Sequence, residues 1–158
     1  MVTIVFAQTY IDVKMNKQAL KKKIKDYISF FETLEAKRLL LLGRYYHRDA
    51  RFKDPFHDVE GAQNIRNVFE KIYNQTSPKI RYAHYGLSED GVTALLRWDY
   101  MFELKSGKQV ISGTTELTFD KDGLIVSQID YWDPSEVVYE KVPVLRSFVR
   151  MVKRKLRG

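Results

Sequence analysis

The spacing of apolar residues changes once along the chain, near Pro78, and this change limits the fold more than any other feature. Before Pro78 the apolar residues recur every three to four positions, as in amphipathic helices. After it the period changes to that of strands, and the strand-like stretches are separated by short polar turns containing glycine. Such turns join neighbouring strands into antiparallel hairpins. The sequence therefore predicts an α+β domain in which helices come first and a meander of strands follows.

Three helices are predicted in the first half of the chain: Lys17 to Phe31, Leu34 to Tyr46, and Ala62 to Tyr73. Thr33 stands where it can cap the start of the second helix. That helix contains Leu39 to Leu42, a run that is apolar on all sides, so we expect it to be buried on more than one side.

Four strands are predicted after the helices: Ile80 to Leu87, Val92 to Leu104, Gln109 to Phe119, and Leu124 to Trp132. Strands of this length in one sheet curl strongly. We therefore expect a cone-shaped, curved antiparallel sheet wrapped around the three helices.

A further strand is expected to end at Asp54. Pro55 disfavours helix at the preceding residue and cannot donate to a sheet ladder. Phe52 and Asp54 are two residues apart and point to the same side of an extended chain. A carboxylate then lies beside an aromatic ring where a strand meets a loop, which suits either a general base or a turn-forming aspartate. On the sequence alone, the turn is the favoured interpretation.

Composition limits the class of protein. The chain has 158 residues, 44% of them hydrophobic, which suits one domain with its own core. It contains no cysteine, so disulfides and thiolate metal sites are excluded and a reducing cytoplasm is expected. The three histidines lack metal-ligand spacing, so we expect neither a metal nor a cofactor. We divide the chain into an N-terminal arm (1–16), the main domain (17–142) and a basic amphipathic helix (143–158).

The C-terminal segment concentrates the positive charge. Six of the residues from Arg146 to Arg157 are basic and none is acidic, while the whole chain has a formal charge of +7. An apolar stripe runs along the same segment, and burying it against the domain is the favoured arrangement. Peripheral contact with an anionic membrane is the minor alternative. We expect no nucleic-acid partner, because no binding motif accompanies the charge.

Several motifs make the chain resemble the nuclear transport factor 2-like, or SnoaL-like, superfamily. They are Arg51-Phe-Lys-Asp-Pro-Phe56, Val59-Glu-Gly61, Arg97-Trp98 and Asp130-Tyr-Trp-Asp-Pro134. The resemblance covers roughly residues 17 to 140. The superfamily includes ketosteroid isomerases, limonene epoxide hydrolases and polyketide cyclases. It implies a bent sheet wrapped around helices, with a pocket inside that holds a small apolar ligand.

The resemblance to ketosteroid isomerases implies roles for three residues. Asp54 stands at the position of their general-base aspartate, and Tyr27 lies near their oxyanion tyrosine. Their second oxyanion group, a protonated aspartic acid, falls on Thr115, whose hydroxyl is a weaker donor.

The resemblance to epoxide hydrolases implies a different set. Arg97 and Asp99 repeat their Arg-x-Asp motif, and Asp130 matches their second aspartate. In that mechanism one aspartate is the acid, the other is the base, and the arginine orients both. The water-holding residues of that family fall on Phe52 and Asp54, and phenylalanine cannot hold a water.

Side chains alternate between the two faces of the sheet along the strand Val92 to Leu104, so either set could point into the pocket. We predict that Arg97 and Asp99 point into the pocket. Trp98, Tyr100 and Phe102 then lie on the outer face of the sheet. There they form the contact of a homodimer or pack against another part of the chain.

We therefore predict a cluster of Asp54, Arg97, Asp99 and Asp130 that performs acid–base catalysis, such as epoxide or ester hydrolysis or isomerisation. The crowded carboxylates would keep at least one of them protonated near neutral pH. The expected ligand contacts are Tyr27, Phe52, Phe69, Thr115, Gln128 and Trp132. The alternative is a non-catalytic protein that binds a ligand or assembles with a partner, in which an Arg–Asp pair only lines the pocket.

Overall fold

The computed structural model describes residues 15–104, 107–135, 151–152 and 154–155. Residues 15–135 contain, in their described part, two α-helices, one 3-10 helix and six strands: α1 (Lys17–Glu32), the 3-10 helix (Ala36–Arg44), β1 (Tyr46–Lys53), β2 (Asp58–Glu60), α2 (Ala62–Thr76), β3 (Lys79–Leu87), β4 (Thr93–Leu104), β5 (Gly107–Phe119) and β6 (Ile125–Trp132). The four described tail residues are also α-helical. Most of the predicted N-terminal arm and most of the predicted basic helix lie outside the described residues.

Helix α1 forms as its apolar spacing predicts. The Asn16 side chain caps its start by accepting a hydrogen bond from the backbone N–H of Gln18 at 2.8 Å. The predicted stripe is buried in the core at Leu20, Ile24, Tyr27 and Phe31. Tyr27 is thereby held with its ring inside the domain.

The second predicted helix is shorter and is a 3-10 helix. Thr33 caps the end of α1, where its hydroxyl donates to the carbonyl oxygen of Ser29 at 2.7 Å, so the prediction that it caps the second helix is wrong. In a 3-10 helix residues three apart lie on one face, which buries Leu39 and Leu42 together. Leu40 is 68% exposed. Leu41 is partly buried against the core, so the leucine run is buried on more than one side, as predicted, but not on the side of Leu40.

Strand β1 ends at Lys53, directly before the predicted stop at Asp54. The backbone N–H of Asp54 then donates to the carbonyl oxygen of His57 at 2.9 Å, which closes a tight turn. The chain returns as β2, a three-residue strand that the sequence did not predict, paired antiparallel with β1.

The six strands form one sheet in the order β2-β1-β6-β5-β4-β3. Strands β3 to β6 pair antiparallel in sequence, so the predicted meander is confirmed. Strands β1 and β6 pair in parallel, which makes the sheet mixed and not wholly antiparallel. The predicted α+β class, a curved sheet with three helices, is confirmed. Residues from the helices and from the inner face of the sheet share one core.

The predicted facing of β4 is wrong. Trp98 is 5% exposed and lines the interior with Tyr100 and Phe102, whereas Arg97 and Asp99 lie on the outer face. The physical reason is that the aromatic row is the more apolar of the two faces, and its burial removes more apolar area from water. Trp98 and Tyr100 are therefore not at the centre of an outer-face contact, and the homodimer itself stays a prediction.

Candidate functional site

The site is a cavity of about 360 Å³ between the helices and the inner face of the sheet. Most of its wall is aromatic, from Tyr27, Phe31, Phe52, Phe56, Phe69, Tyr73, Tyr82, Trp98, Tyr100, Phe102 and Trp132. No lysine or arginine is among the described lining residues. Apart from tyrosines, the titratable lining groups are Asp54, His57 and Asp130.

Asp130, near the end of β6, is the acidic group at the centre of a hydrogen-bond network. The Thr115 hydroxyl donates to its Oδ1 at 2.6 Å. The Gln128 amide donates to Oδ1 at 3.0 Å and to Oδ2 at 3.2 Å. Oδ1 therefore has two donors, while Oδ2 has only the longer contact.

Gln128 is held with its amide nitrogen towards Asp130. Its Oε1 accepts a hydrogen bond from the Tyr27 hydroxyl at 3.2 Å and a shorter one from the Tyr46 hydroxyl. Because both phenols donate to the oxygen, the NH₂ group is left to face the carboxyl. Gln128 is only 2% exposed, so the whole arrangement is buried.

The Thr115 hydroxyl is also held with its hydrogen towards Asp130. The indole Nε1–H of Trp98 donates to Thr115 Oγ1 at 2.8 Å. Indole is only a donor, so the threonine oxygen is the acceptor and its single hydrogen points to Asp130. The chain Trp98 to Thr115 to Asp130 thus fixes the direction of these hydrogen bonds.

These surroundings change the protonation of Asp130. Burial raises the pKa of its carboxyl from 3.8 to about 7, against the lowering effect of the hydrogen bonds from Thr115 and Gln128. The negative charge of Asp54 adds a smaller increase. At neutral pH the group is therefore divided between the carboxylic acid and the carboxylate, the range in which a side chain can both give and take a proton.

The tyrosines around Asp130 remain neutral donors. Burial raises the pKa of Tyr27, Tyr46 and Tyr82 well above 10. None of these phenols ionises near pH 7, so proton transfer at this end of the cavity falls to Asp130.

A second polar group lies where β1 turns towards β2. Asp54 Oδ1 accepts from the backbone N–H groups of Phe56 at 2.7 Å and His57 at 2.6 Å. The Nδ1 atom of His57 lies 3.0 Å from Oδ1 and 3.1 Å from Oδ2 of the same carboxylate. The Asp54 side chain is 8% exposed and that of His57 is 35% exposed, so the pair sits between the cavity and solvent.

The structure brings eight of the ten predicted site residues together around this cavity: Tyr27, Phe52, Asp54, Phe69, Thr115, Gln128, Asp130 and Trp132. Arg97 and Asp99 are not among them. Arg97 donates to the carbonyl oxygens of Trp98 and Gly113, and Asp99 accepts from Ser112 at 2.6 Å. The predicted meeting of Arg97 with Asp130 is therefore wrong, because successive residues of a strand point to opposite faces.

Three residues that make polar contacts at the site were not among the predicted site residues. They are His57, Trp98, which had been assigned to the outer face, and Tyr46, which had been placed at the end of a helix. His57 could have been predicted from its position three residues after Asp54, where a side chain can reach back to a turn aspartate.

Among residues 15–104, 107–135 and the four described tail residues, no group of three histidines or acids could hold a metal ion. No helix in those parts of the chain is long and apolar enough to cross a membrane.

Comparison with solved structures shows the same fold in proteins of low sequence identity. A nuclear transport factor 2-like protein of unknown function from Exiguobacterium sp. is 20% identical, with a TM-score of 0.61, over 70% of this chain and 98% of its own. An epoxide hydrolase of Mycobacterium tuberculosis that is similar to limonene epoxide hydrolase is 12% identical, with a TM-score of 0.63 and coverage of 87% and 97%.

A putative polyketide cyclase from Sinorhizobium meliloti is 16% identical, with a TM-score of 0.58, over 74% of this chain and 100% of its own. No curated protein matches the sequence significantly. The SnoaL-like domain family matches residues 27–128, well over half of the chain. The chain therefore belongs to the SnoaL-like domain family.

Proposed function

We propose that this protein binds a neutral, apolar small molecule in the aromatic cavity and catalyses proton transfer on it, with Asp130 as the acid. The observation that carries the proposal is a carboxyl group set in an aromatic wall, with both hydrogen-bond donors to its Oδ1 fixed in direction. The proton of the neutral acid is then favoured on Oδ2. A ligand oxygen beside Oδ2 would accept it.

The cavity argues for a small and uncharged ligand. Its volume of about 360 Å³ lies at the lower end of the range of roughly 300–1,000 Å³ for small-molecule sites. An anionic ligand would find no lysine or arginine among the described lining residues. Aromatic rings favour offset or edge-to-face contacts with other rings, so a flat, unsaturated ligand suits this wall.

The position of Arg97 favours proton transfer without hydrolysis. The epoxide-hydrolase mechanism requires an arginine between two aspartates, and Arg97 lies on the opposite face of the sheet. Isomerisation needs no such arginine and no held water. The shared fold with an epoxide hydrolase and a putative polyketide cyclase supports a small-molecule ligand but does not select the reaction.

The second candidate is ligand binding without turnover. It is favoured by the way Thr115 and Gln128 satisfy Asp130, as they would in a purely structural network. In this case Asp130 would only donate a hydrogen bond that recognises the ligand.

Binding can be followed with the tryptophans. The chain contains two, Trp98 and Trp132, and both line the cavity. We expect 1-tetralone, a neutral bicyclic aromatic ketone, to quench their fluorescence with a saturable titration. A linear, unsaturable response would contradict a cavity for this class of ligand.

Catalysis can be followed with the same ketone. In D₂O the protein should exchange the hydrogens next to its carbonyl faster than buffer does, as observed by proton NMR. Asp130→Asn should lower the protein-dependent rate by roughly 100-fold, the usual contribution of a general acid. Arg97→Leu, on the outer face of β4, is the matched control and should retain the rate. Saturable binding without exchange in the wild type would favour the non-catalytic candidate.

A further inference from the structure

The turn between β1 and β2 places a histidine–aspartate pair at the cavity wall. The two carboxylate oxygens of Asp54 lie 3.0 and 3.1 Å from His57 Nδ1. Both residues line the cavity, and the His57 side chain is 35% exposed. Asp130, by contrast, is bonded to Thr115 and Gln128, each only 2% exposed. The His57 side chain is thus on the solvent side of the acid. Because Lys53 of β1 pairs with Ile129 of β6, the residues that follow them, Asp54 and Asp130, lie on neighbouring parts of the cavity wall.

The hydrogen bonds determine which member of the pair can act as a base. Asp54 already accepts two backbone N–H groups and faces the imidazole, so its carboxylate is occupied. A carboxylate only accepts, and therefore Nδ1 of His57 carries the hydrogen between them. The neutral ring then has its lone pair on Nε2, which has no hydrogen-bond partner in the described part of the chain. Imidazole held in this way by a carboxylate is a common arrangement for a general base.

We propose that His57 is the base of the proton transfer and that Asp54 is the residue that positions it, so that His57 and Asp130 act on neighbouring atoms of one ligand. This inference rests on the proposed function, which supplies the acid. It also reverses the role expected for Asp54, because the aspartate orients the base and is not itself the base.

The step can be written for a ligand that has a carbonyl group. The Nε2 lone pair of His57 takes a proton from the carbon next to the carbonyl. The C–H electron pair becomes a carbon–carbon double bond, and the carbonyl π pair takes the proton from Asp130. The products are the neutral enol, an imidazolium paired with the Asp54 carboxylate, and the Asp130 carboxylate. Return of the two protons, with the carbon proton delivered to a conjugated position, gives an isomer and restores both groups. The ligand class is therefore a neutral, flat ketone or aldehyde with an acidic C–H.

The tautomer of His57 provides a test that does not depend on a ligand. In the ¹⁵N-labelled protein at a pH where the rings are neutral, His57 should carry its proton on Nδ1. His47 is the internal reference with the opposite tautomer, since its Nδ1 accepts the backbone N–H of Asp49 at 3.2 Å. Long-range ¹H–¹⁵N spectra distinguish the two rings. A His57 proton on Nε2 in the wild type would overturn the proposal.

Asp54→Asn changes only one atom of the carboxylate and should reverse this tautomer. The amide oxygen can keep the two backbone hydrogen bonds, and the amide NH₂ then donates to Nδ1 of His57. The His57 proton moves to Nε2, and the base is lost although the turn is retained. An unchanged tautomer in this variant would contradict the positioning role of Asp54.

Exchange of 1-tetralone hydrogens in D₂O then separates this inference from the proposed function. His57→Gln should lower the protein-dependent rate at least roughly 10-fold, with tetralone affinity from tryptophan quenching little changed. His47→Gln is the matched control and should retain the rate. Loss of exchange in Asp130→Asn but full exchange in His57→Gln would overturn the base assignment and leave the proposed function standing. Absence of exchange in the wild type, with saturable binding, would overturn both.

Discussion

Replacing Asp130 by asparagine should change the pH dependence of folding stability in a defined direction. The pKa of Asp130 is raised by burial from 3.8 to about 7 in the folded protein. A shift of this size corresponds to about 4 kcal/mol between the two protonation states, taken as an upper value. Asparagine has nearly the same shape as the neutral acid and does not titrate in this range.

The sign follows from which state holds the proton. Below about pH 4 Asp130 is protonated in both the folded and the unfolded chain. The contribution of the neutral acid to the free energy of unfolding is then fully present. Between about pH 4 and pH 7 only the folded protein keeps the proton, so the free energy of unfolding falls as pH rises. Above about pH 7 the carboxyl is ionised in both states and the contribution is lost. The asparagine variant should therefore gain stability relative to wild type by up to about 4 kcal/mol between pH 4 and pH 8.

Urea unfolding of both proteins at pH 4 and pH 8 measures this difference, and every other titrating group cancels in the comparison. Asp99→Asn is the control. The hydrogen bond from Ser112 lowers the pKa of Asp99, so its contribution to stability is lost only below about pH 4, and the difference between that variant and wild type should change little between pH 4 and pH 8. If the Asp130→Asn difference were equal at both pH values, the assignment of a raised pKa would be refuted.

Two further predictions concern packing. A Cβ at Gly113 would lie 2.4 Å from the Trp98 ring, so Gly113→Ala should lower stability by about 1–3 kcal/mol and alter the near-ultraviolet circular dichroism of that ring. Gly86→Ala, whose Cβ meets nothing within 4 Å, should leave that spectrum unchanged, and an equal effect of the two would contradict the close approach. Leu42→Ala should cost about 2–5 kcal/mol in urea unfolding because Leu42 is fully buried. Leu40→Ala should change stability by no more than about 0.5 kcal/mol, and similar losses in both variants would contradict the exposure of Leu40.

The elements with strong local signals could be predicted from the sequence. The apolar stripe of α2 places Ile65 and Phe69 in the core, as its spacing requires. The glycine turns separate the strands of the meander, and Pro55 ends β1 within one residue of the expected position. In each of these cases neighbouring residues alone determine the local conformation.

The parts that failed depend on contacts distant in sequence. Strand β2 has only three residues, too few to show alternation, and it exists because it pairs with β1. The parallel pairing of β1 with β6 joins residues more than seventy positions apart. The second helix has 3-10 geometry, which its apolar spacing does not distinguish from an α-helix, because residues three apart share a face in both.

The candidate site shows the same division. Alternation along β4 identifies its two faces but does not say which one is inside. The greater apolar area of Trp98, Tyr100 and Phe102 correctly indicates that their face is buried. The prediction instead followed the resemblance of Arg97 and Asp99 to an epoxide-hydrolase motif and placed those two residues in the pocket. Asp130 and Gln128 could be predicted as site residues from their positions in the sequence. The hydrogen bond between Tyr46 and Gln128 could be seen only in the folded chain.

Asp130 is a carboxylic acid whose pKa burial raises to about 7 inside the aromatic cavity, and the proposed chemistry depends on this property. Carbon-13 NMR of protein labelled at the aspartate carboxyl carbons tests it most directly, with Asp130→Asn identifying the signal. We expect a carboxyl signal that titrates with a midpoint of about 7 and is absent from the variant. If the signal of Asp130 instead titrates near pH 4, as for an ordinary exposed aspartate, the residue is not an acid tuned to neutral pH.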